Sequence, residues 1–204
     1  MLRLDKKQEI IEAAFELFSV KGDHLSVAEL ARAVGIKTPS LYSHFEGKDQ
    51  IMEIMIRQEI QRYYECLEQE ILLAEKLSCK EAMQRLFDFA MEYFGENKRL
   101  RFWRTMPLIS NEEHKSIFRD LIVDQDNQYM QRIKRCFQKG IDNGEIRADV
   151  SESALNLYFT MILGVLDMML LHPKKPNKNG FASKMFEAYW KGISAVSTER
   201  KGGQ

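Results

Sequence analysis

The sequence predicts an all-α fold in two parts, a three-helix helix-turn-helix domain over 1–47 and a larger helical domain over 48–204. Three observations carry the all-α reading. Apolar residues recur at spacings of three and four along almost the whole chain. No segment alternates apolar and polar over six residues. Only 4 prolines and 11 glycines interrupt 204 residues.

The elements follow in order. A first helix over about 5–21 puts Ile10, Ala14, Leu17 and Phe18 on one face, and Gly22 suits its C-terminal cap. A second begins at Ser26, where Ser26-x-x-Glu29 has capping-box spacing, and turns Val27, Leu30, Ala31 and Val34 inward. Gly35 marks a tight turn because glycine tolerates the left-handed region. A third helix covers about 38–44, with Pro39 in its first turn, where a missing N–H costs little. A long fourth helix runs from Gly47 to about 75. Further helices are expected over about 79–95, 98–106 and 111–141, the last ending before Asn143-Gly144. "GEIRADVSES" then turns the chain, with Asp149 or Ser151 as N-cap, into a helix over 152–171. The stretch 172–180 reads as a loop, 181–196 as a last helix and 197–204 as a frayed tail.

Bulk composition narrows the function classes. Hydrophobic residues make up 45% and charged residues 29%, and 30 basic residues balance 30 acidic ones. Residues 1–48 hold seven of each, so any contact with a polyanion must come from placement rather than bulk charge. Cys66, Cys79 and Cys136 are an odd number with no close pair in sequence, which fits a reducing cytosol and no disulfide framework. The charged N-terminus is no signal peptide. The apolar run "LYFTMILGVLDMMLL", interrupted by Asp167, is short for a bilayer and reads as a buried or interface helix.

The chemistry is expected between Val27 and Lys48. Two helices this short are unstable alone and must brace each other. Such a pair can set its second helix in a DNA major groove. Burying Ile36, Leu41 and Phe45 leaves Lys37, Thr38, Pro39, Ser40, Ser43 and His44 outward. Short hydroxyls and a proline let the backbone approach base edges, and Thr38 offers a hydrogen bond or a methyl. Tyr42, His44 and Lys48 flank the helix within reach of phosphates. The helix starts at Ser26 and at Gly47-Lys48 offer outward N–H groups. The bland alternatives are a plain packing motif, a solvated His44 and a solvent-facing Lys37.

These residues carry a resemblance. "GIKTPSLYSHFEGKDQI" resembles the recognition-helix signature of the TetR family of transcriptional regulators, through Gly35-Ile36, Pro39, Ser40, Leu41, Tyr42, His44, Phe45 and Lys48. The likeness is detailed over about 10–51. Two departures stand out: the loop after Gly22 is short and lacks an aromatic, and Lys37 stands where a small polar residue is usual. The resemblance implies a cytoplasmic, homodimeric DNA-binding repressor, released from a palindromic operator by an unknown small-molecule effector. It implies no cofactor, metal, catalytic residue or membrane partner. The dimer would form through the helices of 152–171 and 181–196, with Gly164 permitting close approach. Effector binding would shift the fourth helix, at a coupling of about 1–3 kcal/mol.

In the C-terminal part, Phe87, Phe94, Phe102, Trp103, Met106, Phe118, Phe159 and Met161 form an aromatic and methionine-rich set that would line an effector pocket, or else be ordinary core. Arg104, with Arg101 beside Trp103, would greet an anionic head group or simply face solvent. Asp167 needs a partner or water, since an unpaired buried carboxylate is costly; an interface, a cationic effector and a solvated edge all stay open. An enzyme finds no support: His24, His44, His114 and His172 are dispersed, and no phosphate loop, nucleophile elbow or metal spacing occurs. The other alternative is a helical small-molecule-binding protein without DNA-binding activity.

Overall fold

The computed structural model describes residues 5–150, 152–172 and 180–195. Nine α-helices are described: α1 (Lys6–Lys21), α2 (Val27–Ala33), α3 (Thr38–Leu41), α4 (Lys48–Ala74), α5 (Cys79–Tyr93), α6 (Asn97–Thr105), α7 (Glu112–Asp142), α8 (Glu152–Leu171) and α9 (Phe181–Ile193). No strand occurs among the described residues, and only Ile146 and Ser194 form an isolated bridge. The expected Ser151 cap, most of the 172–180 loop and the 197–204 tail lie outside the described residues.

The chain divides into two compact units. One comprises 5–67 with 93–128; the other comprises 68–92 with 129–195. The long helices α4 and α7 run through both.

In the first unit α1 packs on α6. The ring of Phe102 lies 5.3 Å from Phe15 and 5.4 Å from Phe18, and Ser19 Oγ donates to the Lys98 carbonyl at 3.1 Å. Ile10, Ala14, Phe18, Leu25, Leu30, Leu41, Ile51 and Met52 are fully buried. In the second unit Tyr158 is buried and donates its hydroxyl to the Met83 carbonyl at 2.7 Å. The ring of Phe186 packs 5.5 Å from Phe87 and stacks on Trp190. Arg132 forks to Glu68 at 2.6 Å and Glu75 at 2.8 Å, closing α7 on α4.

Several boundaries differ from expectation by one to three residues, the fifth helix ending at Tyr93 rather than 95, and three have local reasons. The third helix stops at Leu41, because Ser43 and His44 donate to carbonyls three residues back and tighten the chain into a turn. The sixth ends at Thr105 and passes into a 3₁₀ turn over Met106–Leu108, where Pro107 lacks the N–H to continue. The ninth ends at Ile193, where the chain extends and Arg147 N–H donates to the Ile193 carbonyl at 3.0 Å.

The apolar run near the C-terminus lies within a 20-residue helix, α8, which is long and apolar enough to cross a membrane by length and composition alone. Its inner face is packed through Leu155, Tyr158, Val165 and Leu166. Its outer face leaves Leu157, Leu163, Met168 and Leu171 exposed.

Candidate nucleic-acid interface

The helix-turn-helix is built as its residues dictate. Asp5 caps α1, and Gly22 ends it at φ 60°. Ser26 and Glu29 form a reciprocal capping box at the start of α2. Lys21 also reaches Glu29, and these partners hold the Glu29 carboxyl down at about 2, the Lys21 bond first and the Ser26 bonds after it. Gly35 adopts φ 69°, and Ile36 N–H closes the turn on the Ala31 carbonyl at 2.9 Å. Leu30, Ala31, Leu41 and Phe45 are buried, so one side of α2 and α3 is core.

The opposite side carries the expected contact set. Lys37, Pro39, Ser40 and Tyr42 are exposed, and Thr38 and His44 are half-exposed. Lys37 is the N-cap of α3, with Thr38 and Pro39 following in its first turn. Two positions are more occupied than the sequence suggests. The N–H of Ser26 is not available, since it donates to Glu29 at 3.0 Å while the Ser26 hydroxyl also bonds that carboxylate at 2.9 Å. Lys48 is half-buried and its ammonium donates to the Asp23 carbonyl. It retains two further N–H groups beside the start of a 27-residue helix.

The start of α4 is tied to α7 as well. The Asp23 carboxylate accepts the Ser110 N–H at 2.9 Å, and the buried His114 imidazole lies 3.7 Å from the Asp49 carboxylate.

The expected effector-pocket residues divide between the two units. Phe94, Trp103, Met106 and Phe118 come together in the first, with Trp103 5.8 Å from Phe94 and 5.6 Å from Phe118. Arg104 is half-buried in the same unit. Phe87, Phe159 and Asp167 belong to the second: Phe87 is core against Phe186, Phe159 is half-buried beside Tyr158, and Asp167 is on an exposed edge of α8. Helix periodicity marked these residues as inward-facing without saying which neighbours each one meets.

The aromatic group of the first unit surrounds a residue that sequence reasoning passed over. Glu59 is 4% exposed. Its Oε1 accepts from Tyr93 Oη at 2.9 Å and Trp103 Nε1 at 3.2 Å, with Arg99 Nε at 3.9 Å. The ring of Tyr63 lies 4.8 Å from Trp103 and 5.3 Å from Tyr93, and the Arg99 guanidinium sits 4.8 Å over the Tyr93 ring. Burial raises the Glu59 carboxyl above its ordinary value, while the Trp103 and Tyr93 bonds and the Arg99 and Arg62 charges pull it back. A cleft of about 210 Å³, bordered by Gln8, Glu12, Phe15, Met55, Glu59 and Arg62, opens beside it. The available signal was position: Glu59 lies three, four and seven residues from Ile56, Met55 and Met52, on the buried face of α4.

Comparison with known proteins agrees with this geometry. The family model described as bacterial regulatory proteins, tetR family, matches residues 10–55, the span from α1 into α4. The fatty acid metabolism regulator protein of Bacillus subtilis (strain 168) is 24% identical over 164 residues, 79% of this chain and 80% of the relative. The biofilm operon icaADBC negative transcriptional regulator IcaR of Staphylococcus aureus is 28% identical over 142 residues, 69% and 72% of the two chains. Among solved structures, the regulator FadR of Bacillus subtilis in complex with stearoyl-CoA shares the fold at a TM-score of 0.68 and 20% identity, covering 92% of this chain and 100% of that one. The fatty acid degradation regulator FadR of Bacillus halodurans does so at 0.69 and 15%, covering 94% and 98%. The family match is thus seated on the helix-turn-helix, and both relatives, each a transcriptional or metabolic regulator by name, align with most of the chain.

Proposed function

We propose that this DNA-binding transcriptional regulator works in the cytoplasm as a homodimeric repressor that a small-molecule effector releases from a palindromic operator. The observation that carries the reading is the two-sidedness of α3: Leu41 and Phe45 are buried while Lys37, Pro39, Ser40 and Tyr42 face outward. Thr38, Pro39 and Ser40 read base edges. Lys37, Tyr42, His44 and Lys48 grip phosphates, and Ser26 serves mainly to cap α2. Domain boundaries at 1–47 and 48–204 express this division of labour.

The dimer forms through the outer faces of α8 and α9. Leu157, Leu163, Met168 and Leu171 on α8, and Phe181 and Met185 on α9, are exposed apolar residues in a single chain. A Cβ on Gly164 would meet nothing within 4 Å, which leaves room for a partner helix. Pairing two chains there sets recognition helices about 34–36 Å apart, one turn of duplex.

The effector acts at the Glu59 cage. Ligand entry beside Trp103 and Phe118 displaces α6, and α6 packs directly on α1 through Phe102 and the Ser19–Lys98 bond. The same movement reaches α4 through Asp23, which holds both Ser110 and Lys48. Because a structural neighbour holds stearoyl-CoA, long-chain acyl-CoA is the first effector class to test.

The test is a gel shift on fragments of the source genome at two salt concentrations, with and without stearoyl-CoA and with CoA alone. The reading expects a salt-sensitive, fragment-selective complex. A protein that binds acyl-CoA but shifts no fragment at either salt would instead be a helical small-molecule binder.

A further inference from the structure

The fold brings together two cysteines that lie far apart in sequence. Cys79 opens α5, and its N–H and that of Lys80 donate to the Glu145 carboxylate at 3.0 and 3.2 Å, which fixes the start of the helix. Cys136 and Gly140 lie one turn apart on one face of α7. A Cβ on Gly140 would stand only 2.5 Å from Cys79 Sγ and 2.7 Å from Cys79 Cβ. The missing side chain is what lets Cys79 settle on the α7 backbone beside Cys136. The two thiols interact with each other, and both line a cavity of about 200 Å³ whose wall includes Arg135, Lys139 and Glu145.

The two sulfurs are not equivalent. Cys79 is buried, whereas Cys136 is half-buried and accessible. The neighbouring Cys79 thiol holds the Cys136 thiol below its ordinary value, with Lys139 assisting against burial and Glu145. The same contact, then burial, then the Cys136 and Glu145 charges push the Cys79 thiol well up. Thiolate character, not thiol content, sets nucleophilicity, so one cysteine is poised to attack and the other to resolve.

We propose that Cys136 and Cys79 form a hydroperoxide-reactive dithiol, with Cys136 as the attacking sulfur and Cys79 as the resolving one. The Cys136 thiolate attacks the distal oxygen of a hydroperoxide. The O–O bond breaks, the alkoxide leaves and takes a proton to become an alcohol, and Cys136 becomes a sulfenic acid. Cys79 sulfur then attacks the sulfenic sulfur; the S–O bond breaks, the Cys79 proton leaves with hydroxide as water, and a disulfide joins α5 to α7. Two thiols and one hydroperoxide give one disulfide, one alcohol and one water. The sulfur pair loses the two electrons that the O–O bond gains. This proposal stands apart from the DNA-binding reading, since it uses no residue of that interface.

The test uses the full chain carrying Cys66→Ser, treated with tert-butyl hydroperoxide and mapped by peptide mass spectrometry. The expected product is an intrachain Cys79–Cys136 disulfide that dithiothreitol reverses. With Cys79→Ser, dimedone traps a sulfenic acid on Cys136; with Cys136→Ser, Cys79 stays a thiol. Before oxidation, iodoacetamide at neutral pH labels Cys136 more than about tenfold faster than Cys79. Circular dichroism establishes that each variant is folded. Disulfides only between chains, a pair left reduced, or Cys79 reacting undiminished in the Cys136→Ser protein would each overturn the proposal.

Discussion

The ammonium of Lys48 donates to the main-chain carbonyl of Asp23, so the first residue of α4 is pinned to the turn that follows α1. The Asp23 carboxylate in turn accepts the Ser110 N–H at 2.9 Å. A residue expected from its sequence position to touch only phosphate therefore also braces the reading head. Lys48→Ala should weaken binding to all duplexes alike and lower the salt slope by about one. It should also destabilise the fold by about 2 kcal/mol, through the lost hydrogen bond from a charged donor. Titrations at several salt concentrations and a melting curve read the two effects separately. A lower affinity at unchanged melting temperature would deny the bracing role.

Side chains on the outer face of α3 should divide by what they touch. Thr38→Val or Ser40→Ala is expected to change which operator is preferred, by about 1–3 kcal/mol at the affected base pair. Tyr42→Phe, which on the proposed reading removes a phosphate hydrogen bond, should cost about 1 kcal/mol on every sequence. Binding to matched and scrambled operators distinguishes the classes. If both classes lowered the two affinities in the same ratio, the assignment of base and phosphate contacts would be wrong.

These expectations were legible because the helix-turn-helix is governed by local rules. The Ser26–Glu29 box, the positive φ of Gly35 and the alternation of buried Leu41 and Phe45 with exposed Pro39 and Ser40 follow from a few neighbouring residues. Nearly every helix was legible too, since periodicity survives without knowledge of partners. What was not legible depends on which faces meet. Nothing near Glu59 in sequence announces Tyr93 and Trp103, and nothing near Cys79 announces Cys136 and Gly140. For the same reason nothing near Phe87 in sequence announces Phe186, on which its ring packs.

Glu59 gives a pH prediction with a definite sign. Its carboxyl is raised in the folded chain by burial, despite the Trp103, Tyr93 and Arg99 contacts. The folded state therefore holds the proton more tightly than the unfolded one. That contribution to stability is fully present below the ordinary carboxyl value of about 4.3 and is lost as pH rises through the raised one. Glu59→Gln keeps an acceptor for Tyr93 and Trp103 but cannot titrate. The difference in melting temperature, variant minus wild type, should shift in favour of the variant as pH rises from about 4 to 8. A difference that stayed flat over this range would show that Glu59 is not the titrating group.

The dimer prediction rests on exposed apolar side chains of α8. Leu163 is 48% exposed and Leu171 70% exposed in the single chain. Placing a charge at either position, Leu163→Glu or Leu171→Glu, exposes little that is buried within one chain yet buries an unpaired carboxylate in a helix-to-helix contact. The variants should fold and run as monomers in light scattering, and lose operator binding together with dimerisation. Dimers of undiminished stability would move the interface elsewhere.

Gly140 offers a test of packing that needs no ligand. An alanine methyl there meets Cys79 Sγ at 2.5 Å and Ile146 Cδ1 at 3.1 Å, so α5, α7 or the 145–147 segment must shift. Overpacking of this kind costs about 1–3 kcal/mol, partly offset by the better helix propensity of alanine, about 1 kcal/mol. Cys79→Ala removes the nearest atom. Because the two substitutions share one contact, their effects should not add: Gly140→Ala should cost markedly less in the Cys79→Ala chain than in the wild type. Denaturant melts of the four proteins in the cycle measure this coupling. A cycle that closed to zero would mean that Cys79 does not rest on the α7 backbone, and the closeness of its sulfur to Cys136 would fall with it.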